Sequence, residues 1–293
     1  MRILKKCIKK ILNALGYDVI RIPPRKGYKK PKRDLLRMTY NLTNHCNLNC
    51  KCCDNFAPLV EEEFTDLEIF KRDLKRIAAL SNMGKGIELL QLTGGEPLLH
   101  PQINEALKIA RDCFITAPIE IVTNGILLLR MPDPFWQICR ENKITIVVTK
   151  YPINIDHQGI KEKAAANGVE FHFYGDTEQV LKTMHCVPLD LNGRQNKNES
   201  FTKCYKSNLC IKCRNGKLYT CSLIPNIHYF NNYFNLNLRV SKRDHIDIYK
   251  ARDLDEIFEF IRKPIPFCKY CNIDGSRYDI KWDVSKRELT EWV

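Results

Sequence analysis

The chain has 293 residues, and its hydrophobic content of 44% is enough to bury a core, which excludes global disorder. No apolar run reaches the roughly 18–20 residues that a membrane span needs. The basic N-terminus also lacks the apolar stretch and small-residue cleavage site of a secretory signal. The formal net charge is +13, but residues 1–33 hold twelve Lys and Arg against one acidic residue. We therefore expect a cytoplasmic protein whose body does not bind nucleic acid.

Residues 1–34 are predicted to form a basic tail. Apolar residues recur at helical spacing among the lysines, at Leu4, Ile8, Ile11, Leu12 and Leu15. This pattern is typical of a helix that lies on an anionic membrane surface, or of a basic helix that packs on the body or frays in water. Three prolines between residues 23 and 31 then end the helix and form a linker. The second interpretation is favoured, and peripheral membrane contact stays an alternative.

Strands and helices alternate from residue 35 to about residue 185, which predicts a parallel sheet with outer helices. The predicted strands are Leu36–Leu42, Ile87–Leu92, Ile119–Thr123, Ile144–Thr149 and Val169–Phe173. A first helix is expected after Thr65, which forms a capping box with Glu68. The later helices are predicted at Pro101–Cys113, Pro134–Glu141 and Gln158–Asn167. Continuous apolar strands indicate that both faces of the sheet are covered, so we expect an α/β fold, an open or closed barrel.

A smaller unit is predicted over residues 191–293, where the alternation has stopped. Residues 192–200 are polar and predict a loop, followed by short strands such as Lys217–Tyr219 and a helix at Leu254–Arg262. Six of the fourteen cysteines lie within residues 204–271. In a cytoplasmic chain of this size, such clusters indicate metal binding or redox chemistry rather than disulfides.

The first cysteine set follows the first predicted strand directly. Cys46, Cys50 and Cys53 have the spacing C-x3-C-x2-C. Three thiolates on a compact loop can hold three corners of a [4Fe–4S] cube and leave the fourth iron open. An open coordination site is typical of catalysis. A zinc site that uses Cys50 and Cys53, with His45 or Cys52 as a further ligand, is the alternative.

This spacing, together with Gly94-Gly95-Glu96 after the second strand, resembles the radical S-adenosylmethionine (radical SAM) superfamily. The resemblance implies a partial (β/α)6 TIM-like barrel over residues 35–190 and a [4Fe–4S] cluster whose open iron binds S-adenosylmethionine. One departure is Cys52, which stands where the family usually has an aromatic residue.

The resemblance also implies roles for residues at the ends of the next strands. It assigns Gly94, Gly95 and Glu96 to the amino group of S-adenosylmethionine, because residues without side chains let backbone carbonyls approach an ammonium and Glu96 complements its charge. Asn124, at the end of the third strand, would reach the ribose or simply belong to a turn. Lys150, after the fourth strand, would meet the carboxylate or lie solvated on the surface.

The second cysteine set has the pattern C-x11-G-x4-C … C-x2-C. Its members are Cys204, Cys221, Cys268 and Cys271, with Gly216 in a turn between two short strands. The pattern resembles the C-terminal extension of radical SAM enzymes that is called SPASM in its two-cluster form and twitch in its one-cluster form. We expect one auxiliary [4Fe–4S] cluster, with structural zinc as the alternative. Three other cysteines, Cys186, Cys210 and Cys213, either form a second auxiliary cluster or are spare thiols.

The resemblance implies that flavodoxin or ferredoxin supplies an electron, S-adenosylmethionine is cleaved to a 5′-deoxyadenosyl radical, and the radical abstracts a hydrogen atom. A one-cluster extension implies oxidation or epimerisation of a small polar metabolite or carbohydrate. Modification of a peptide or protein side chain is the alternative, and a non-catalytic iron–sulfur electron-transfer protein is the less favoured one. The polar candidates for substrate contact are Asp54, Glu120, Arg194, Tyr205 and Tyr219. A base or hydrogen donor is not assigned.

Overall fold

The structure is a computed structural model and describes residues 35–175, 177–207 and 209–293. The expected N-terminal helix and linker lie outside these residues. The strands are β1 (Leu36–Thr43), β2 (Ile87–Gly94), β3 (Ile119–Thr123), β4 (Ile144–Val148), β5 (Phe171–Phe173), β6 (Thr183–Cys186), β7 (Lys212–Arg214), β8 (Lys217–Tyr219), β9 (Ile246–Asp247) and β10 (Arg277–Lys281). The helices are α1 (Leu67–Leu80), α2 (Ile103–Cys113), α3 (Asp133–Glu141), α4 (His157–Ala166), α5 (Lys197–Lys203), α6 (Ile227–Phe234) and α7 (Leu254–Ile261).

One eight-stranded sheet organises the chain, in the order β5-β4-β3-β2-β1-β7-β8-β9. The first five strands are parallel to their neighbours and are connected through helices, which confirms the predicted α/β fold. The sheet is extended beyond β1 by β7, a parallel strand from the second unit, and then by antiparallel β8 and β9. Strand β6 instead pairs with β10 in a separate two-stranded sheet. The barrel is therefore partial, and its sheet is completed from the C-terminal part of the chain.

The main core lies between the sheet and helices α1 to α3. Alternate residues of β1 are fully buried, and so is the face of α1 that carries Phe70, Leu74 and Ile77, as the helical spacing predicts. Burying one such side chain contributes about 1.5–3 kcal/mol. A second core joins the C-terminal unit to the segment after the first cysteine set, because Phe56 packs against Phe230 and Trp292.

Two local predictions are wrong, both at helix starts. Asp66, not Thr65, caps α1, since its carboxylate accepts the N–H groups of Glu68 and Ile69. The Thr65 hydroxyl is already used by β1, because it donates to the carbonyl of Asn41 at 2.8 Å. The predicted loop over residues 192–200 ends early, because the Asn196 side chain caps α5. Asn and Asp are strong N-caps, each contributing about 1 kcal/mol.

A buried carboxylate ties α1 to the hairpin of β7 and β8. Asp73 is fully buried and accepts hydrogen bonds from the hydroxyls of Tyr40 (2.9 Å) and Tyr249 (2.5 Å) and from the backbone N–H of Gly216 (2.8 Å). Gly216 has φ +74°, and a Cβ there would lie 2.7 Å from the Tyr249 ring. This is the tight turn that the sequence predicts between the two strands, and it directs the chain toward Cys221.

Among the described residues, we find no helix long and apolar enough to cross a membrane. The cytoplasmic location and the domain boundaries at residues 34 and 190 stay predictions.

Candidate active site

The carboxyl ends of the parallel strands β1 to β4 share one edge of the sheet, the position at which folds of this kind hold their active sites. The first cysteine set follows β1, Gly94 ends β2, and Asn124 follows β3. The structure brings these predicted site residues into one network of hydrogen bonds.

The glycine motif packs directly on the backbone of the cysteine loop. The N–H of Gly95 donates to the carbonyl of Thr43 at 2.9 Å, and the N–H of Glu96 donates to that of His45 at 3.0 Å. A Cβ on Gly94 would lie 2.0 Å from the Thr43 oxygen, and one on Gly95 would lie 1.9 Å from the His45 oxygen. Both glycines are therefore required for this backbone contact. The sequence did not reveal this reason for the presence of glycine at residues 94 and 95. Their binding of an ammonium group stays a prediction.

Glu96 holds the end of β3 in place. Only 1% of the residue is exposed, and its carboxylate accepts hydrogen bonds from the Thr123 hydroxyl (2.7 Å) and from the N–H groups of Asn124 (2.9 Å) and Leu98 (3.0 Å). Burial raises the pKa of this carboxyl to about 7, although the hydrogen bonds act in the opposite direction. Glu96 therefore has a structural role, because it holds the end of β3. That it also complements the charge of the S-adenosylmethionine amino group stays a prediction.

Asn124 joins the end of β3 to the first cysteine set. Its side-chain N–H donates to the Asn47 side-chain oxygen at 2.8 Å and lies 3.8 Å from the Cys46 sulfur. Its side-chain oxygen accepts from the N–H of Ile126 at 2.9 Å, so the residue also forms a turn. The turn interpretation is therefore correct, and a ribose contact stays a prediction.

The three thiols of the first set lie close to Tyr151. Burial raises the pKa of Cys46 to about 12 and that of Cys50 to about 11, and it also raises that of Cys53. Burial raises the pKa of Tyr151 as well, and all three thiols add to this effect. Thiols buried in this way stay protonated unless cationic metal stabilises the thiolate form, so the donor set suits a metal cluster.

The C-terminal segment covers the cysteine loop, a contact that sequence analysis missed. The N–H of Lys51 donates to the carbonyl of Asp283, and the Trp292 indole N–H donates to the carbonyl of Cys53 at 3.1 Å. The Trp282 indole N–H donates to the Cys50 sulfur at 3.2 Å. The available signal was the presence of two of the three tryptophans within the last twelve residues.

Cys52 and His45, the alternative zinc ligands, serve the loop instead. The Cys52 sulfur is buried and donates to the carbonyl of Glu291 at 3.0 Å, and the Cys186 sulfur donates to the same oxygen at 3.5 Å. Nδ1 of His45 lies 2.7 Å from the Thr43 hydroxyl, and its ring packs edge-on against Phe64. These contacts favour the C-x3-C-x2-C triad without a further ligand.

The second cysteine set lines one cavity, whose wall is otherwise mainly apolar. The four cysteines are Cys204, Cys221, Cys268 and Cys271, and the wall between them includes Phe201, Ile224 and Phe267. Burial raises the pKa of each of these four thiols. Residues separated by up to 67 positions in the sequence, from Cys204 to Cys271, are thus assembled around a single space.

The three remaining C-terminal cysteines are not brought together. Cys213 lies in the main core on β7, Cys186 lies beside Cys52, and Cys210 lies near Lys206. This separation favours spare thiols over a second auxiliary cluster.

Two buried lysines lie between the two cysteine sets. Lys206 pairs with Asp54, and Nζ of Lys212 lies 2.5 Å from the side-chain oxygen of Asn55. Lys212 is only 4% exposed, and burial lowers its pKa to about 8. Lys212 also interacts electrostatically with Cys53 of the first set and Cys221 of the second. Of the predicted polar candidates, Asp54 lies in this region.

Tyr205 lies in the same region as Asp54, and the remaining polar candidates have different positions. Tyr205 packs beside Lys206, whereas Glu120 lies on β3 and accepts from the Gln91 amide at 2.7 Å. Tyr219 lies in the second core, and Arg194 is exposed on the loop before α5. Lys150 forms an ion pair with Glu178 at 3.2 Å, which favours the surface interpretation over a carboxylate site.

Residues 40–157 match the sequence profile of the Radical SAM superfamily. This part of the chain is a radical SAM domain.

Sequence similarity to two curated proteins covers part of the chain. GTP 3′,8-cyclase of Chlorobaculum tepidum is 39% identical over 93 residues, 31% of this chain and 26% of that protein. A 7,8-dihydro-6-hydroxymethylpterin dimethyltransferase of Methanocaldococcus jannaschii is 29% identical over 126 residues, 41% of this chain and 22% of that protein. The chain thus spans about a quarter of the length of these relatives.

The crystal structure of BtrN in complex with AdoMet and 2-DOIA is similar in fold. Its TM-score is 0.50 at 17% sequence identity, and the match covers 81% of this chain and 93% of that chain. At this identity the likeness bears on the fold alone. The radical SAM family implies a [4Fe–4S] cluster and S-adenosylmethionine, and the cysteine triad beside the glycine motif fits them. The twitch extension stays a prediction.

Proposed function

We propose that this radical SAM protein oxidises a small polar molecule and holds one auxiliary [4Fe–4S] cluster on Cys204, Cys221, Cys268 and Cys271. The observation that carries the proposal is the single cavity lined by these four thiols. Four thiolates complete the ligation of a [4Fe–4S] cube. Such a cluster has no open iron for substrate, so its chemistry is electron transfer.

For this site we propose a cluster rather than structural zinc. A tetrahedral zinc site, with Zn–S bonds near 2.3 Å, holds its sulfurs within about 4 Å of one another. In the part of the chain that the structure describes, no group of three or more His, Cys, Asp or Glu side chains is placed to hold a single metal ion. Four cysteines around an open space suit a larger group.

When bound, the cluster and S-adenosylmethionine supply a 5′-deoxyadenosyl radical that takes a hydrogen atom from substrate. Cys46, Cys50 and Cys53 would hold the cluster, and Glu96 and Asn124 fix the neighbouring strand end. The C-terminal segment covers the loop and excludes water, which protects a reactive site from side reactions. The protein's contribution is therefore mainly position and enclosure.

Polar substrate groups would bind between the two cysteine sets. Among the described residues, the one hydrogen-bond partner of Lys212 Nζ is the side-chain oxygen of Asn55, and the Asp54–Lys206 pair lies nearby. A substrate held there would lie between the two cysteine sets, since Lys212 interacts with members of both. Net oxidation would remove a hydrogen atom, an electron that the second site would accept, and a proton that passes to solvent.

Radical cyclisation of a nucleotide is the second candidate. It is favoured by the 39% identity with a protein named GTP 3′,8-cyclase, although that match spans only 26% of the relative. Epimerisation would need a hydrogen donor, for which we assign no residue. The relatives do not favour peptide modification.

The test is anaerobic reconstitution of the full chain with iron and sulfide, followed by dithionite and S-adenosylmethionine. Formation of 5′-deoxyadenosine is expected, and its absence contradicts the radical activity. Deuterated sugars, amino sugars and GTP are then offered separately. Deuterium in 5′-deoxyadenosine from a sugar, together with a product two hydrogen atoms lighter, supports oxidation. A cyclised product from GTP supports the second candidate instead. Flavodoxin or ferredoxin as the natural reductant stays a prediction, which the same assay tests by replacing dithionite.

A further inference from the structure

We infer that Trp282 tunes the reduction potential of the radical SAM cluster by donating its indole N–H to the sulfur of Cys50. The two atoms lie 3.2 Å apart. Trp282 is 232 residues from Cys50 in sequence and belongs to the C-terminal unit. It acts on the site through a ligand, so it is a positioning residue. The inference rests on a cluster at Cys46, Cys50 and Cys53, and it is independent of the auxiliary cluster.

The indole is held in this place from several directions. Its backbone N–H donates to the carbonyl of Lys182 at 2.9 Å, and its ring packs 6.0 Å from that of Tyr151. The chain on its C-terminal side pairs with the cysteine loop, because the N–H of Lys51 donates to Asp283 and the N–H of Ser285 donates to Asn49. These bonds lie on both sides of Cys50. The indole N–H is therefore preorganised toward one sulfur.

A donor at a ligand sulfur favours the reduced cluster. Reduction adds negative charge that spreads onto the ligand sulfurs, and a hydrogen bond stabilises that charge. The same contact lowers the pKa of the Cys50 thiol, although burial, the larger effect, leaves that pKa raised at about 11. Both effects have one physical origin, the attraction between the N–H dipole and negative sulfur. Loss of the donor should therefore make the cluster harder to reduce.

The chain offers a matched control. Trp292 also reaches the cysteine loop from the C-terminal segment, but its indole N–H donates to the backbone carbonyl of Cys53 at 3.1 Å. The third tryptophan, Trp136, donates to the carbonyl of Met131 next to α3. Of the three tryptophans, Trp282 is thus the one whose indole N–H donates to a sulfur.

The experiment compares Trp282→Phe and Trp292→Phe with the wild-type full chain. Each protein is reconstituted, and the signal that responds to S-adenosylmethionine is followed by electron paramagnetic resonance during an anaerobic redox titration. We expect a more negative midpoint potential for Trp282→Phe, with unchanged iron content, and a wild-type potential for Trp292→Phe. Equal potentials for Trp282→Phe and wild type overturn the inference. A wild-type protein without any signal that responds to S-adenosylmethionine contradicts the proposed function instead.

A second measurement does not require the Trp282 variant to hold its cluster. Wild-type protein is labelled with ¹⁵N in the tryptophan indoles, and the reduced cluster is examined for a ¹⁵N hyperfine coupling. We expect a coupling that persists in labelled Trp292→Phe. Absence of the coupling in the wild type, or its loss in Trp292→Phe, overturns the assignment to Trp282.

Discussion

The backbone oxygen of His45 lies where a side chain on Gly95 would begin. A Cβ at residue 95 would be 1.9 Å from that oxygen, well inside any allowed contact. The glycine motif and the cysteine loop are thus two halves of one backbone arrangement, joined by the bonds from Gly95 to Thr43 and from Glu96 to His45. A substitution in one motif should therefore damage the cluster held by the other.

Gly95→Ala is expected to lose the first cluster. Backbone atoms cannot move aside as a flexible side chain can, so the overpacking should cost about 1–3 kcal/mol of folding free energy and displace the cysteine loop. Iron analysis after reconstitution should show a loss of roughly four iron atoms per chain, one [4Fe–4S] cube.

Gly275→Ala is the control for this substitution, because the three atoms nearest to its new Cβ all belong to the side chain of Asn272 rather than to backbone. It should retain its iron and its response to S-adenosylmethionine. If Gly95→Ala also keeps its full iron content, the proposed coupling of the two motifs is wrong.

The buried carboxyl of Glu96 should make stability depend on pH. Its folded-state pKa is raised to about 7 by burial, whereas an unfolded glutamate titrates near 4.5. Between these values the unfolded chain releases the proton and the folded chain retains it, so stability falls as pH rises. A shift of this size corresponds to about 3 kcal/mol.

Chemical denaturation of the cluster-free protein at several pH values measures this effect. The difference in unfolding free energy between wild type and Glu96→Gln should shift by about 3 kcal/mol against the wild type from pH 4 to pH 8. The substitution also alters hydrogen bonds, but that contribution is constant with pH. Parallel curves for the two proteins would show that folding does not change the pKa of Glu96.

Much of the fold was predictable because the signals are local. The strand Ile119–Thr123 has the bounds that the sequence predicts, since four of its five residues are β-branched and turn residues follow it. The cysteine spacing and the glycine motif likewise mark their site within one stretch of chain. What the sequence alone cannot supply is the pairing of distant segments, such as β7 beside β1 or Trp282 beside Cys50.

Some details could not be predicted because one side chain can form either of two alternative contacts. Thr65 and Asp66 can both cap a helix, and the choice was made by a hydrogen bond from Thr65 to β1, which no local pattern reveals. For Lys150 the sequence left two alternatives open, and its ion pair with Glu178, a residue 28 positions away, could not be foreseen from a local pattern. The role of Glu96 in holding the end of β3 was not predictable from the sequence, because it depends on how the strands are placed in the folded sheet.

Asp73 should stabilise the packing of α1 against the β7–β8 hairpin, so its substitution should lower the free energy of unfolding. Asp73→Ala would leave the Tyr40 hydroxyl and the Gly216 N–H buried without their acceptor, at about 1–3 kcal/mol for each group. Asp73→Asn keeps one oxygen for these two donors, and the more exposed Tyr249 can turn its hydroxyl to accept from the amide. Denaturant unfolding should therefore rank stability as wild type, then Asn, then Ala. An Ala variant as stable as the Asn variant would contradict the acceptor role.

The iron content of cysteine variants should separate the two sites and decide the role of Cys210. Wild-type protein is expected to bind roughly eight iron atoms, in two [4Fe–4S] clusters. The double variant Cys268→Ala/Cys271→Ala should retain about four and still cleave S-adenosylmethionine, because its first site is intact. The triple variant Cys46→Ala/Cys50→Ala/Cys53→Ala should also retain about four but form no 5′-deoxyadenosine.

Cys210→Ala is the matched control, since Cys210 lies near Cys204 but does not line the cavity of the second set. Its iron content should equal that of the wild type. A wild-type content of about twelve iron atoms, with a loss of about four in Cys210→Ala, would restore the hypothesis of a second auxiliary cluster. Zinc in place of iron in the triple variant would instead assign the second set to structural metal, and the cavity would then have to contract around a single ion.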